Sequence, residues 1–214
     1  MTKATVLSIA SEIYPLVKTG GLADVAGALP LALAEEGLAV STLAPGYPAI
    51  LRALGKSSVA TKWGDLFGGP ARVIGGSAAG LSLFALDAPH LFARDRGLYG
   101  DATGKDYPDN WRRFAALGRA GAELARGGAA GFSADVVHAH DWQAAMAAVY
   151  LRYGEGAAPP SLMTIHNIAF QGRFDAAVFD ELELPPRAFS IEGVEYFGGV
   201  GFLKGGMQSA SAIS

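Results

Sequence analysis

The chain has 214 residues and a formal charge of −3, with 17 Lys and Arg against 20 Asp and Glu. Half of the residues are hydrophobic and only 17% are charged, against about 25% in ordinary domains, which excludes a disordered chain and provides for a sizeable core. The weak negative charge gives no footprint for nucleic acid or an anionic membrane. The lack of cysteine excludes a disulfide framework, thiolate metal sites and cysteine catalysis. The N-terminal apolar run Ala4 to Ala10 is too short for a signal peptide. Val73 to Leu86 is broken by Gly75, Gly76, Ser77 and Gly80 and falls short of the roughly 20 residues that cross a bilayer. A soluble, cytoplasmic protein is expected.

In chain order, Thr5 to Ala10 reads as a buried strand. Leu22, Val25, Ala26, Leu29 and Leu33 then fall at helical spacing, with Pro30 expected to weaken or kink the helix. Leu38 to Ala44 is a second strand, so the start of the chain is a βαβ unit. Residues 56–87 break the rhythm: Ser58–Trp63, Ala71–Ile74 and Leu81–Leu86 are short β-prone pieces between glycines, expected as antiparallel strands or hairpins. The 29 glycines, about twice the usual share, are read as gathering at the ends of apolar segments. Asp106-Tyr107-Pro108 predicts a helix start, and Trp111 to Ala125 one helical face. Asp135–His140 is a strand, Trp142–Tyr153 a helix, Ser161–His166 a strand, and Phe202–Ile213 a helix. The expected fold is α/β: a Rossmann-like, doubly wound, mostly parallel sheet with a β-hairpin insertion, in one domain covering residues 1–214.

Ligands of such sheets bind beyond the carboxyl ends of the strands, and three loops there carry unusual residues. In the first, Lys18-Thr19-Gly20-Gly21-Leu22, the glycines admit an anion to backbone N–H groups at a helix N-terminus and Lys18 adds a full charge. The spacing matches neither G-x-G-x-x-G nor a P-loop, and Gly100 to Asp106 resembles a P-loop only superficially. Asp24, in the first helical turn, fits dipole stabilisation equally well. In the second, His138-Ala139-His140-Asp141-Trp142, strand alternation puts the two histidines on one face. The set suits either a metal ion or a sugar held by carboxylate and indole. His138 reads as a satisfied core histidine and Asp141 as functional. In the third, His166-Asn167, the imidazole suits acid/base work, ligation or hydrogen bonding.

Ser11-Glu12-Ile13-Tyr14-Pro15 with Lys18 to Val25 resembles the N-terminal signature of bacterial glycogen and plant starch synthases. Asp135 to Trp142 and Thr164 to Gly172 are similar to that family's next two blocks, and Phe202-Leu203-Lys204-Gly205-Gly206 to the segment before its domain crossover. The resemblance runs from residue 6 to 214. It implies the N-terminal half of a two-domain GT-B fold that transfers glucose from ADP-glucose to the non-reducing end of an α-1,4-glucan (glycogen or malto-oligosaccharide), with retention. Position by position it implies Lys18, Gly20 and Gly21 at the nucleotide diphosphate with Asp24 nearby. It puts His166 against the donor glucose, and Asp141, Trp142, Asn167 and Tyr99 along the glucose and acceptor subsites, with Asp141 and His166 the catalytic pair. It implies no metal, no cofactor and no protein nucleophile, because the leaving diphosphate assists the incoming hydroxyl.

Members of that family are roughly twice as long, as two ordinary α/β domains would be. The resemblance therefore implies that a C-terminal nucleotide-sugar domain is lacking, that this chain alone is inactive, and that its bare cleft face favours self-association. Two other readings stand beside this one. A metal-dependent hydrolase would use His138, His140, Asp141 and His166; a non-catalytic glucan-binding module would need Trp142 but not Lys18.

Overall fold

The computed structural model describes residues 4–94, 96–129 and 131–214. An eight-stranded sheet runs in the order β11-β7-β6-β1-β2-β5-β4-β3. Its parallel part comprises β1 (Thr5–Ile9), β2 (Ala39–Pro45), β5 (Leu81–Asp87), β6 (Val136–His140), β7 (Ser161–Thr164) and β11 (Ala212–Ile213). The 56–87 region supplies β3 (Ser58–Trp63) and β4 (Ala71–Ala78), which extend one edge antiparallel, as expected of an inserted hairpin. β1 leads through α1 (Gly21–Glu35) to β2 on one side, and the chain later returns to lay β6 on the other side. The strand order thus reverses at β1, and reversal opens a crevice at the carboxyl ends of β1 and β6.

The two faces are covered differently. Val6 and Ser8 of β1, together with His138 of β6, lie against Leu29, Pro30 and Leu33 of α1. The opposite face, with Leu7, Ile9, Val137 and Ala139 fully buried, receives α4 (Asn110–Ala125), α5 (Asp141–Tyr153) and α6 (Phe202–Ser209). These helices approach closely through small residues. A Cβ on Gly118 of α4 would lie 2.7 Å from the Met146 carbonyl carbon of α5, and one on Gly206 of α6 would lie 2.7 Å from the Ala145 Cβ. Gly118, Gly205 and Gly206 thus serve close helix packing, whereas others, such as Gly37, Gly80 and Gly154, stand at the ends of elements as expected. A short α2 (Pro48–Ala53), a turn of helix α3 (Pro89–Phe92) and a small antiparallel sheet of β8 (Arg173–Phe174), β9 (Glu195–Tyr196) and β10 (Gly199–Gly201) complete the fold.

β4 runs on to Ala78 rather than ending at Ile74, and β7 stops at Thr164 rather than His166; three further features also differ from expectation. α1 runs through Pro30, which sits buried against the sheet, so packing outweighs the lost hydrogen bond. The helix expected from Asp106 starts at Asn110, because Asp106 is held in a backbone bridge to Gly100 and Tyr107 N–H donates to the Tyr99 carbonyl. The last helix stops at Ser209; Ala212–Ile213 becomes β11, whose neighbour Ser214 donates to the Met163 carbonyl and thereby covers the edge of β7.

An exposed Gly→Ala change inside a helix normally stabilises by about 1 kcal/mol. For Gly118→Ala the steric clash with the α5 backbone reverses the sign. The expected destabilisation of about 1–3 kcal/mol would lower the thermal midpoint by roughly 2–12 °C, read by circular dichroism.

Candidate active site

The crevice holds a cavity of about 550 Å³ whose walls come from three loops at strand carboxyl ends and a fourth between two helices. The loop after β1 is anchored from beneath by a carboxylate. Glu12, only 3% exposed, accepts from the Thr19 hydroxyl (2.6 Å), the Thr19 N–H, the Gly20 N–H (3.2 Å) and the Tyr99 hydroxyl (2.5 Å). Two amides of the glycine loop are thus already engaged. The first-turn amides of Gly21 and Leu22 have no partner among the described residues: Gly20 caps α1 without a side-chain hydrogen bond, and both residues line the cavity. An open N-terminus of a 15-residue helix favours an anion there.

The loop after β6 turns through Asp141, whose φ of +57° is left-handed, a conformation Asp tolerates better than most residues. The turn directs the carboxylate at the neighbouring loop after β7. Asp141 Oδ1 accepts from the backbone N–H groups of His166 (2.7 Å) and Asn167 (3.3 Å). His166 Nε2 lies 3.0 Å from His140 Nδ1, and Asn167 Oδ1 accepts from the Ala169 N–H at 3.0 Å. Asp141, His166 and Asn167 all face the cavity. The fourth loop, between α3 and α4, contributes Tyr99 and Asp106.

The histidines behind this wall are neutral. Burial, with the nearby His166 imidazole disfavouring a second positive charge, holds His138 down to about 4, and burial with its two imidazole neighbours holds His140 well below the ordinary range. Their nitrogens are committed separately, His138 Nε2 to the Thr164 hydroxyl at 2.7 Å and His140 Nδ1 to His166. Among the described residues no group of three His, Cys, Asp or Glu side chains converges as a metal site. A second cavity, of about 590 Å³, lies at the far end of α5. Its Arg119 is paired with Glu123, and its Arg126 donates to the Tyr150 and Leu151 carbonyls, so its charges are largely answered internally. The crevice cavity, where amides and polar side chains without partners among the described residues meet, is the candidate site.

The starch synthase catalytic domain model matches residues 5–214. The chain belongs to that family. It is 56% identical over 209 residues to a glycogen synthase of Mesorhizobium japonicum and 57% identical over 210 residues to glycogen synthase 1 of Rhizobium meliloti. In each case the match takes in 98% of this chain and 44% of the relative, so the chain spans less than half the length of these curated relatives. Its fold matches the catalytic domain of starch synthase IV from Arabidopsis thaliana, bound to ADP and acarbose, with a TM-score of 0.80 and 25% identity over 99% of this chain and 44% of that one.

Within this starch synthase domain, seven of the nine residues singled out from sequence, Gly20, Gly21, Tyr99, Asp141, Trp142, His166 and Asn167, line the cavity. The roles of two differ from expectation. Trp142 is 8% exposed, packed edge-on against Phe114 and covered by Gly172, so it is a wall and not a stacking platform. The Tyr99 hydroxyl faces inward, to Glu12 and Ser11. Lys18 and Asp24 are not brought in: they pair with each other at 2.6 Å, both about half exposed, on the outer shoulder of the loop. The Gly100–Asp106 segment is no phosphate cradle either, because Asp101 Oδ1 itself accepts from Thr103 N–H, Thr103 Oγ1 and Lys105 N–H. Sequence reasoning missed Glu12 as the anchor. Its position immediately after the first strand, at the base of the glycine loop, was the available signal.

Two outcomes follow from this geometry. Charged hydrogen bonds contribute about 1.5–3 kcal/mol, so Glu12→Ala should speed amide exchange at Thr19 and Gly20 by roughly 10- to 100-fold, measured by hydrogen–deuterium exchange with mass or NMR detection. The unfolded chain protonates His138 near 6.5 whereas the folded chain refuses the proton until about 4. Stability from this group is therefore complete above pH 6.5 and is lost as the pH falls towards 4. His138→Gln should flatten that part of the thermal midpoint's pH profile relative to the unsubstituted chain.

Proposed function

We propose that this chain is the N-terminal, acceptor-side domain of a glycogen synthase, a cytoplasmic enzyme that transfers glucose from ADP-glucose to the non-reducing end of an α-1,4-glucan with retention of configuration. The observation that carries this reading is the convergence in one cavity of an uncapped helix N-terminus with a His–Asn loop clamped by Asp141. The first suits the diphosphate and the second the hydroxyls of a sugar. A relative that binds ADP and acarbose supports a cleft of that chemistry.

In this mechanism the Gly21 and Leu22 amides hold charge that grows on the departing diphosphate, as preorganised donors do. The bond from glucose C1 to the diphosphate breaks, the acceptor oxygen bonds to C1 on the same face, and the acceptor proton passes to a diphosphate oxygen. His166 hydrogen-bonds the donor sugar. Asp141 Oδ1 holds the His166–Asn167 loop, and Oδ2, which makes no hydrogen bond among the described residues, presents negative charge to the oxocarbenium-like centre. The rest of the protein supplies the nucleotide-sugar domain and closes over the exposed Ile168 and Phe170 at the rim. Lys18 reaches the diphosphate in the closed enzyme by leaving Asp24.

The test is glucosyl transfer from ADP-glucose to maltoheptaose by the full-length protein, in the presence of EDTA. Activity is expected to survive the chelator and to be absent from the isolated chain. Asp141→Asn keeps an oxygen for the two amides but removes the charge, and should lower kcat on the order of 100-fold. Activity abolished by EDTA and restored by a metal would favour the hydrolase-like metal site instead; an unaffected Asp141→Asn enzyme would remove Asp141 from the chemistry.

A further inference from the structure

The histidine in the cavity has a buried histidine behind it that decides which of its nitrogens bears the hydrogen. His140 is completely buried at the end of β6, and its Nδ1 lies 3.0 Å from His166 Nε2. Its other nitrogen, Nε2, is buried without a hydrogen-bond partner among the described residues. The His138 ring lies across it, with centroids 4.1 Å apart and planes inclined by 37°, and His138 is itself fixed by the Thr164 hydroxyl. His140 therefore has one packed orientation.

The bond between the two imidazoles needs one donor and one acceptor. If His166 Nε2–H were the donor, neutral His140 would have to carry its own hydrogen on Nε2, where a buried N–H would meet no acceptor. If His140 Nδ1–H is the donor, only a lone pair is left unpartnered on Nε2. Orphaned buried N–H groups are the rarer and costlier of the two. Burial and the adjacent His138 and His166 disfavour a charged His140, which removes the form with hydrogens on both nitrogens. The second arrangement remains. His166 then has its lone pair on Nε2, turned to His140, and its hydrogen on Nδ1, which makes no bond among the described residues.

We propose that His140 is a positioning residue that locks His166 as its neutral Nδ1–H tautomer, so that His166 serves glucosyl transfer as a hydrogen-bond donor to a sugar hydroxyl and not as a general acid or base. The catalytic half of this statement rests on the transferase reading above; the tautomer does not. Acid/base action through Nε2 is blocked because a proton arriving there would face the His140 N–H, and His140 could yield only by moving its hydrogen to the unpartnered side. Asp141 completes the constraint by holding the His166 backbone N–H, so main chain and ring are fixed by successive residues of one strand end.

The decisive measurement is a long-range proton–nitrogen NMR spectrum of the full-length protein labelled with ¹⁵N in histidine, with His166 assigned by its substitution. The expected spectrum shows a protonated Nδ1 and an unprotonated, hydrogen-bond-accepting Nε2; a protonated Nε2 would overturn the proposal without any variant being needed. In kinetics, His140→Leu should lower kcat by about 10- to 100-fold, as loss of a residue that orients a functional imidazole does. KM and the thermal midpoint should change little, since the substitution also removes an unpartnered buried nitrogen. His140→Asn, which puts an amide N–H near the position of Nδ1, should recover most of the rate. Full activity in His140→Leu, or no recovery in His140→Asn, would refute the positioning role. If the unsubstituted protein transfers no glucose, the transferase reading fails, while the spectrum still decides the tautomer.

Discussion

The reversal of strand order at β1 is the constraint on which the site depends. A parallel sheet must cross over by helices, and a crossover that goes one way from β1 and the other way into β6 leaves the carboxyl ends of two adjacent strands uncovered. Every polar residue that faces the cavity is delivered to that opening by a loop it shares with a strand or helix of the core. The inserted β3–β4 hairpin enlarges the far edge of the sheet and contributes nothing to the opening. Close contact of α4, α5 and α6 through glycine and alanine keeps the start of α5, and hence Asp141, at a fixed distance from the core.

Two carboxylates divide the work of shaping the loops. Glu12 engages amides of the glycine loop and ties it to Tyr99; Asp141 engages amides of the loop after β7. Each holds backbone rather than a cationic side chain, so each satisfies groups that the chain must satisfy anyway on leaving regular structure. Because hydrogen bonds to an ionised acceptor are stronger than neutral ones, a single side chain suffices to fix each loop. The uncapped first turn of α1 stands out against this background of satisfied amides.

Much of this arrangement was legible in the sequence. Short apolar runs ending at Ala10, His140 and His166 marked strands that end at Ile9, His140 and Thr164 in the structure, and the residues just beyond each strand form the loops. His138 was readable as core because strand alternation and an apolar setting both point inward. What was not legible depended on partners distant in sequence. The position of Glu12 at the base of the glycine loop hints at an anchor, but its neighbours in sequence do not say that Tyr99 reaches it from 87 positions away. Trp142 looked like a platform because an indole beside a carboxylate suits a sugar, but the approach of Gly172 covers it. Ala212–Ile213 continued a helical pattern until the bare edge of β7 offered better pairing. Local pattern defined the elements; long-range contacts decided which side chains remained available to a ligand.

The pairing of Lys18 with Asp24 bears on how charge is handled at the rim. Both side chains are about half exposed, and ion pairs of that kind contribute roughly 0–1 kcal/mol, so separating them is nearly free. Their mutual neutralisation means the rim carries no strong standing field that would collect stray anions from solution. An ammonium six residues from its tether, on a flexible four-carbon stem, can be transferred to a ligand that presents more negative charge than one carboxylate. The helix terminus is the permanent electropositive feature of the crevice, and the lysine is a conditional one whose contribution depends on the charge of what arrives.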